Sequence, residues 1–402
     1  MFLKAHLPLH NYMKEEFIYF DHASTSPLSL EVLKIINSSN LNYWGNVSAT
    51  YKYGIKCSTE LESVRNKIAL ILNSNSEDII FTSGSSESIS IVFNKLSDNF
   101  KPENIVISEV EHQATIISSN ILKKRGWKII EWEVDNKGIV NLDKLEKFLS
   151  PKTKLISIIW GQSEIGSLQP IQLIGKKCVE NNILFHVDAT QIISNGIFKW
   201  NDLNCDLLSL SAHKFGGPKG IGILLTNEKS RSFLRNSDIA LTHEYSIRQG
   251  TQSLPLICGM LQALKNISGL ITFSNYDTVF KNNKIIFLKD YLLNLLKDNK
   301  YVEITGSIEN RLPNHLSFIL MNKDFFPIKA YKIINFMSDN NISISSGSSC
   351  SSSNKNPSKV LTKLRLDNNK LFSNIRLSFS EQNSIDQIDK FHTLLLQCID
   401  KF

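Results

Sequence analysis

The residues best suited to chemistry stand at the ends of two apolar runs. The run 183–187 ends in Asp188, within HVDATQ (186–191), and the run 207–210 ends in Ser211, His213 and Lys214, within SLSAHKFGGPKGIG (209–222). If the runs are strands of a parallel sheet, both loops open on the edge where ligands of such sheets lie. A carboxylate and a lysine presented together suit pyridoxal phosphate. The amine can condense with the cofactor's aldehyde, and Asp188 can keep the ring nitrogen protonated so that the ring accepts electrons from a substrate carbanion. Ser211 and His213 add donors for the phosphate, and the glycines after Lys214 allow a tight turn. Singly, Asp188 reads as a cap and Lys214 as a solvated surface lysine. Their joint occurrence is harder to explain as structure alone.

Other segments carry compatible chemistry. DIIFTSGSSESIS (78–90) is a strand, a small-residue turn and a helix start, which aims backbone N–H groups and the helix dipole at an anion beside Ser85 and Ser86. An ordinary helix cap is the alternative. IVISEVEHQATI (105–116) puts His112 after a strand, where a satisfied structural histidine is the plainer reading. Cys350 lies in ISSGSSCSSSNKNPSKVL (344–361), whose Ser, Asn, Gly and Pro content is that of a loop. Free cysteines are usually buried, so one in a polar loop is available to react. Arg376, in SNIRLSFS, stands in a strand where a core would take an apolar residue, so a charged one there favours function.

These residues need a scaffold, and the periodicity supplies one. Leu61, Val64, Ile68, Ala69 and Leu72 share a helix face; strands are expected at 127–134 and 155–159 and a helix near 142–149. Alternating strands and helices predict an α/β fold with a mainly parallel sheet flanked by helices, over residues 20–270. From about 271 the composition turns helical and Asn/Lys-rich. A smaller α+β C-terminal domain is expected over 271–402, with residues 1–19 packing against it. Its elements are a helix to 296, strands at 315–321, 342–345 and 375–379, a helix at 328–337, and a last helix striped by Ile385, Ile388, Phe391 and Leu395.

Composition narrows the class. The chain of 402 residues, 42% hydrophobic, is long enough for two domains, and a balance of 45 basic against 38 acidic residues, net +7, is too weak to argue for nucleic acid. Lys355, Lys359, Lys363, Arg365, Lys370 and Arg376 gather late against Asp367 alone, either as a solvated face or as a dock for an acidic protein. The six cysteines form neither CxxC nor Cys/His ligand spacing, so no metal site or disulfide framework is indicated and a reducing compartment fits. With no apolar leader and no run near the roughly 20 residues of a membrane span, a cytoplasmic protein is expected.

HVDATQ followed by SAHKFGGPKGIG resembles the class V branch of the fold-type I pyridoxal phosphate enzymes, which includes cysteine desulfurases, selenocysteine lyases and some aminotransferases. Motifs in order support the resemblance. FIYFDHASTSP resembles YLDxAATTP, bringing Ala23 and Ser24 toward the site or simply starting a helix at Ser29. FTSGSSES resembles FTSGATES, and EHQA resembles EHxA, which implies that His112 stacks on the pyridine ring and relays protons. WGQSEIGSLQPI resembles HxNNEIGxxQPI with Gln162 and Ser163 in place of the asparagines, so that Ser163, and also Gln191, would reach the cofactor's phenolic oxygen. RQGT resembles RSGT, implying that Thr251 reaches the phosphate of a neighbouring subunit in a homodimer.

The cysteine chooses the branch. SSGSSCSSS…PSKVL resembles SSGSACTS…PSxVL of the NifS and IscS type of cysteine desulfurases, with Cys350 as nucleophile, and RLS resembles the RxS whose arginine, here Arg376, binds the substrate carboxylate. The resemblance implies that Lys214 removes the α-proton of L-cysteine, that alanine is released and that a persulfide on Cys350 passes to an acceptor or scaffold protein for iron–sulfur cluster assembly or thio-modification. Another class V enzyme would keep Lys214 and Asp188 without needing Cys350. A lapsed, interaction-only paralogue is the reading suggested by the departures at Val47, Tyr51, Ser90, Gln162 and Ser163 and by LTHEYS where the family has glycines.

Overall fold

The computed structural model describes residues 17–235, 243–267, 271–274, 277–280, 283–347 and 357–402. Its large sheet has seven strands: β1 (Ile79–Thr82), β2 (Asn104–Ser108), β3 (Lys128–Trp132), β4 (Thr153–Ile159), β5 (Leu184–Asp188), β6 (Leu207–Ser211) and β7 (Gly222–Thr226). They lie in the order β1-β7-β6-β5-β4-β2-β3, with β7 antiparallel to both neighbours and the remaining pairs parallel. Every residue of β5, β6 and β7 is buried, as both faces carry helices. The parallel pairing sets His186 beside Leu207 and Asp188 beside Ser209. Asp188 and the turn carrying Lys214 therefore leave the sheet at one edge, as the apolar runs imply.

A second apolar cluster gathers Ile18 and Phe20 with Leu288, Leu292, Phe318, Met337, Leu377, Phe391 and Leu395. It is built on the antiparallel strands Val302–Ile304, His315–Leu320 and Asn374–Ser378 and the helices Asn283–Leu296, Ala330–Asp339 and Ile385–Lys401. The ring of Phe20 meets those of Phe379 and Phe391 edge-on at 5.4 and 5.9 Å. Burying one such side chain stabilises by about 2 kcal/mol. Strand Ile18–Tyr19 pairs in parallel with Ile342–Ser343, so the segment before Asp21 is sewn to the C-terminal elements.

Two expectations differ from what is found. The helix expected at 142–149 is a 3-10 turn, Leu142–Lys147. Phe148 turns in against Trp132, 5.0 Å between ring centres, and Pro151 follows, so the segment is too short to repay helix nucleation. Residues 271–280, expected to be helical, include an antiparallel hairpin, Ile271–Ser274 with Asp277–Phe280, in keeping with their β-branched and aromatic content. Among the described residues no helix is long and apolar enough to cross a membrane. Half of the late basic cluster is neutralised internally: Lys363 pairs with Glu109 and Glu131, Lys370 with Glu303, and buried Arg376 with Asp21. Those three cations are compensated within the chain.

Candidate active site

The turn after β1 meets the ends of β6 and β7 and forms a cradle. Gly84 has φ +151°, and a Cβ on it would come within 3.1 Å of the Ser211 hydroxyl; a Cβ on Gly222 would lie 2.6 Å from Gly84 Cα. Only glycines let the start of helix Ser85–Asn99 approach the sheet this closely. The Ser85 N–H donates to Ser211 Oγ at 2.7 Å, and the Ser85 hydroxyl contacts that of Thr190. A cavity of about 500 Å³ opens there, lined by Ser24, Thr25, Ser86, Ser211, His213 and Lys219 among others. Glu87 caps the turn at Ser83 N and holds Arg248 at 3.1 Å. Burial, with the charges of Lys214 and Lys219, pushes His213 down to about 4, so its imidazole is neutral at pH 7.

Lys214 follows in the 3-10 turn Ala212–Lys214, and its Nζ donates to the carbonyls of Ala23 and Ser24, each at 2.8 Å. Asp188 is buried at the end of β5, its Oδ1 accepting from the N–H and hydroxyl of Thr190. Gln191 donates its amide to the Ala23 carbonyl at 3.0 Å, so this N–H is used within the chain. His112 caps helix Gln113–Lys124, its Nδ1 accepting from Ala114 N at 3.2 Å. The residue is exposed at the surface, yet neighbouring protein atoms partly desolvate its ring. That desolvation lowers its pKa, and the charges of Asp188 and Lys214 both act on it.

Gln162 and Ser163 lie in the loop 160–169, where each has contacts within the chain. The Gln162 carboxamide oxygen accepts from the N–H groups of Glu164 and Ile165 at 2.5 and 3.1 Å, and its NH₂ donates to Val110 O at 3.2 Å. Gln162 is therefore the staple of this loop. Ser163 contributes its carbonyl, which accepts from Arg376 Nη1 at 3.0 Å and lies 3.1 Å from His315 Nε2. Arg376, from strand Asn374–Ser378, also reaches Gly347 O at 3.2 Å, and its Nη2 reaches Asp21 Oδ1 and Ser24 Oγ, each at 2.6 Å. Ser24 thus touches both cations: its carbonyl holds Lys214 and its hydroxyl holds Arg376. Thr251 and Tyr51 are exposed, and Cys350 lies outside the described residues.

Sequence reasoning missed Asp21, Thr190 and Glu111. Glu111 is buried; its Oε1 accepts from Ser108 Oγ at 2.6 Å and Ile159 N at 2.8 Å, while Oε2 lacks a partner among the described residues. Burial, with Asp188 adding repulsion, pushes it up from 4.5 to about 8, so it is a neutral acid at pH 7. Between pH 4.5 and 8 the unfolded chain loses a proton that the folded chain keeps, so stability falls as pH rises through that window. The loss through this group is on the order of 4 kcal/mol. Glu111→Gln, which mimics the protonated acid, is expected to remove it. Urea unfolding at pH 5 and pH 8.5 (about the two sides of the window) checks this, and equal pH slopes in both proteins would refute it.

These residues fit pyridoxal phosphate. The cradle joins a helix N-terminus, serine hydroxyls, a neutral histidine and Lys219 for a phosphate, and backbone glycines keep it open. Buried Asp188 suits a protonated ring nitrogen, and Lys214 suits an aldehyde.

The comparisons agree. The family model for aminotransferase class-V matches residues 18–391. The cysteine desulfurase IscS of Buchnera aphidicola subsp. Baizongia pistaciae is 33% identical over 389 residues, 96% of this chain and 93% of the relative. That of Dictyoglomus turgidum is 31% identical, covering 97% and 96%. A solved NifS-like protein superposes with TM-score 0.82 at 26% identity, covering 96% of this chain and all of the other. SspA in complex with cysteine superposes with TM-score 0.75 at 27% identity, covering 90% and 98%. Enzymes of this family depend on pyridoxal phosphate, the cofactor that the cradle, Asp188 and Lys214 fit. With matched motifs, cradle and similarity over nearly its whole length, the chain belongs to the aminotransferase class-V family, in its branch of NifS- and IscS-like cysteine desulfurases.

Proposed function

We propose that the protein is a homodimeric, cytoplasmic cysteine desulfurase, with a large domain at 20–270 and a small one at 271–402. It converts L-cysteine to L-alanine and passes the sulfur, held as a persulfide on Cys350, to an acceptor or scaffold protein for iron–sulfur cluster assembly or thio-modification. The observation that carries this reading is Ser24, held between Lys214 and Arg376. A cation for a carboxylate and a lysine for an amino-group reaction, one residue apart in space, describe a site for an α-amino acid. The solved relative in complex with cysteine supports the same substrate.

Bound pyridoxal phosphate supplies the electron sink. Ser85, Ser86, Ser211 and His213 would hold its phosphate, with Thr251 of the partner subunit. Asp188 would keep its ring nitrogen protonated, His112 would stack on the ring, and Gln191 and Ser163 would face its phenolic oxygen. Lys214 would hold the cofactor through its aldehyde and move the substrate's α-proton, while Arg376 would orient the substrate carboxylate. The Cys350 thiolate attacks the substrate sulfur: an S–S bond forms, the Cβ–S bond breaks, and the electron pair left on Cβ takes a proton to give alanine. His112 supplies protons on this face. Leu41, Trp44, Tyr51 and Ile55 are exposed apolar residues of the kind that a second copy of the chain would cover.

The test is alanine release from L-cysteine under reducing conditions by the cofactor-loaded protein. Alanine is expected. Cofactor binding without alanine would refute the reading, and release from selenocysteine alone would replace it with a lyase.

A further inference from the structure

We propose that Asp21 is a resident carboxylate that occupies Arg376 in place of the substrate's and so sets the affinity of the site for amino-acid carboxylates. The proposal rests on Arg376 being the substrate's carboxylate site. Its terminal N–H groups are all engaged: Nη1 donates to the carbonyls of Ser163 and Gly347, and Nη2 to Asp21 Oδ1 and Ser24 Oγ. The side chain is 2% exposed, so an incoming carboxylate finds no unused edge on those two nitrogens. Something must leave, and the partners differ in how readily they can.

The carbonyls of Ser163 and Gly347 belong to backbone. Ser163 is fixed in addition by His315, and Gly347 N–H bonds the Ser345 hydroxyl. Asp21 is different. Its backbone is pinned, because the flanking residues lock onto Ser378: Ser378 N donates to Phe20 O at 2.7 Å, and Ala23 N donates to Ser378 Oγ at 2.7 Å. Its side chain is 19% exposed, so it can rotate toward solvent while the backbone stays. Exchange of one carboxylate for another on Nη2 conserves the charge-assisted hydrogen bond and keeps the buried guanidinium paired throughout, the condition under which a buried charge is tolerated. A neutral ligand lacks that compensation. Asp21 thereby weakens every amino acid equally and excludes amines that carry no carboxylate.

The experiment compares native protein, Asp21→Asn and Asp21→Glu, all cofactor-loaded. KM for L-cysteine is measured alongside equilibrium binding, followed by absorbance, of L-alanine and of cysteamine, which has no carboxylate. Asp21→Asn is expected to tighten L-alanine and lower KM by about tenfold, one charge-assisted contact's worth, with cysteamine unchanged. Asp21→Glu, which keeps the charge, should stay near the native values. Asp21→Ala gives the same reading should the amide variant fold poorly. Weaker or unchanged L-alanine binding in Asp21→Asn would overturn the proposal and make Asp21 a group that positions Arg376. The binding arms need no turnover, so they report on Asp21 even if L-cysteine yields no alanine and the proposed function falls.

Discussion

Lys214→Ala is expected to lower alanine formation from L-cysteine by about 10,000-fold or more, because one amine both holds the cofactor and moves the α-proton. Its position makes it suited to both tasks. Two main-chain carbonyls, those of Ala23 and Ser24, aim Nζ, and the Lys214 carbonyl is itself held by the Ser26 hydroxyl at 3.0 Å. Segment 23–26 and the turn after β6 thus orient one another through backbone groups that the substitution leaves intact. The variant should fold and still take up cofactor in the cradle through Ser85, Ser86 and Ser211. Borohydride reduction should fix cofactor to the native chain and not to the variant. Activity within tenfold of native would remove Lys214 from the mechanism.

Arg376→Lys carries the second large effect, a rise in KM for L-cysteine of about 100-fold. An ammonium keeps the charge but cannot span Ser163, Gly347, Asp21 and Ser24 from one plane. The carboxylate then loses its charge-assisted seat on the planar guanidinium, worth about 3 kcal/mol, which is roughly two powers of ten. Since the lost contact orients substrate, kcat should fall as well, while binding of cysteamine should hardly change. Steady-state kinetics with L-cysteine and equilibrium binding of cysteamine check this. Equal losses for the two would show that Arg376 supports the fold and not the carboxylate.

The scaffold was legible where local pattern decides it. The apolar runs ending at Asp188 and Lys214 could be read as strands from their composition, and their common edge followed from parallel pairing. The cradle was legible because small residues at 83–86 between a strand and a helix leave few other conformations. What escaped depends on distant partners. Gln162 stood out only as a departure from asparagine, and its work, stapling its own loop to Val110, needs a neighbour from the turn after another strand. Asp21 meets Arg376 across 355 residues, a separation that no local motif encodes. Glu111 reads as an ordinary charged residue until burial beside Asp188 neutralises it. The internal pairing of Lys363 and Lys370 escaped for the same reason, since Glu109, Glu131 and Glu303 come from earlier elements.

The central claim is that the sulfur of L-cysteine moves to Cys350. The most direct measurement is the mass of the Cys350-containing peptide after the cofactor-loaded protein has met L-cysteine without acceptor or reductant, with alanine counted in the same reaction. The account predicts a peptide heavier by one sulfur atom, matched by alanine, with both lost in Cys350→Ser. Alanine formed equally well by Cys350→Ser, or an unmodified cysteine in a protein that makes alanine, would contradict it.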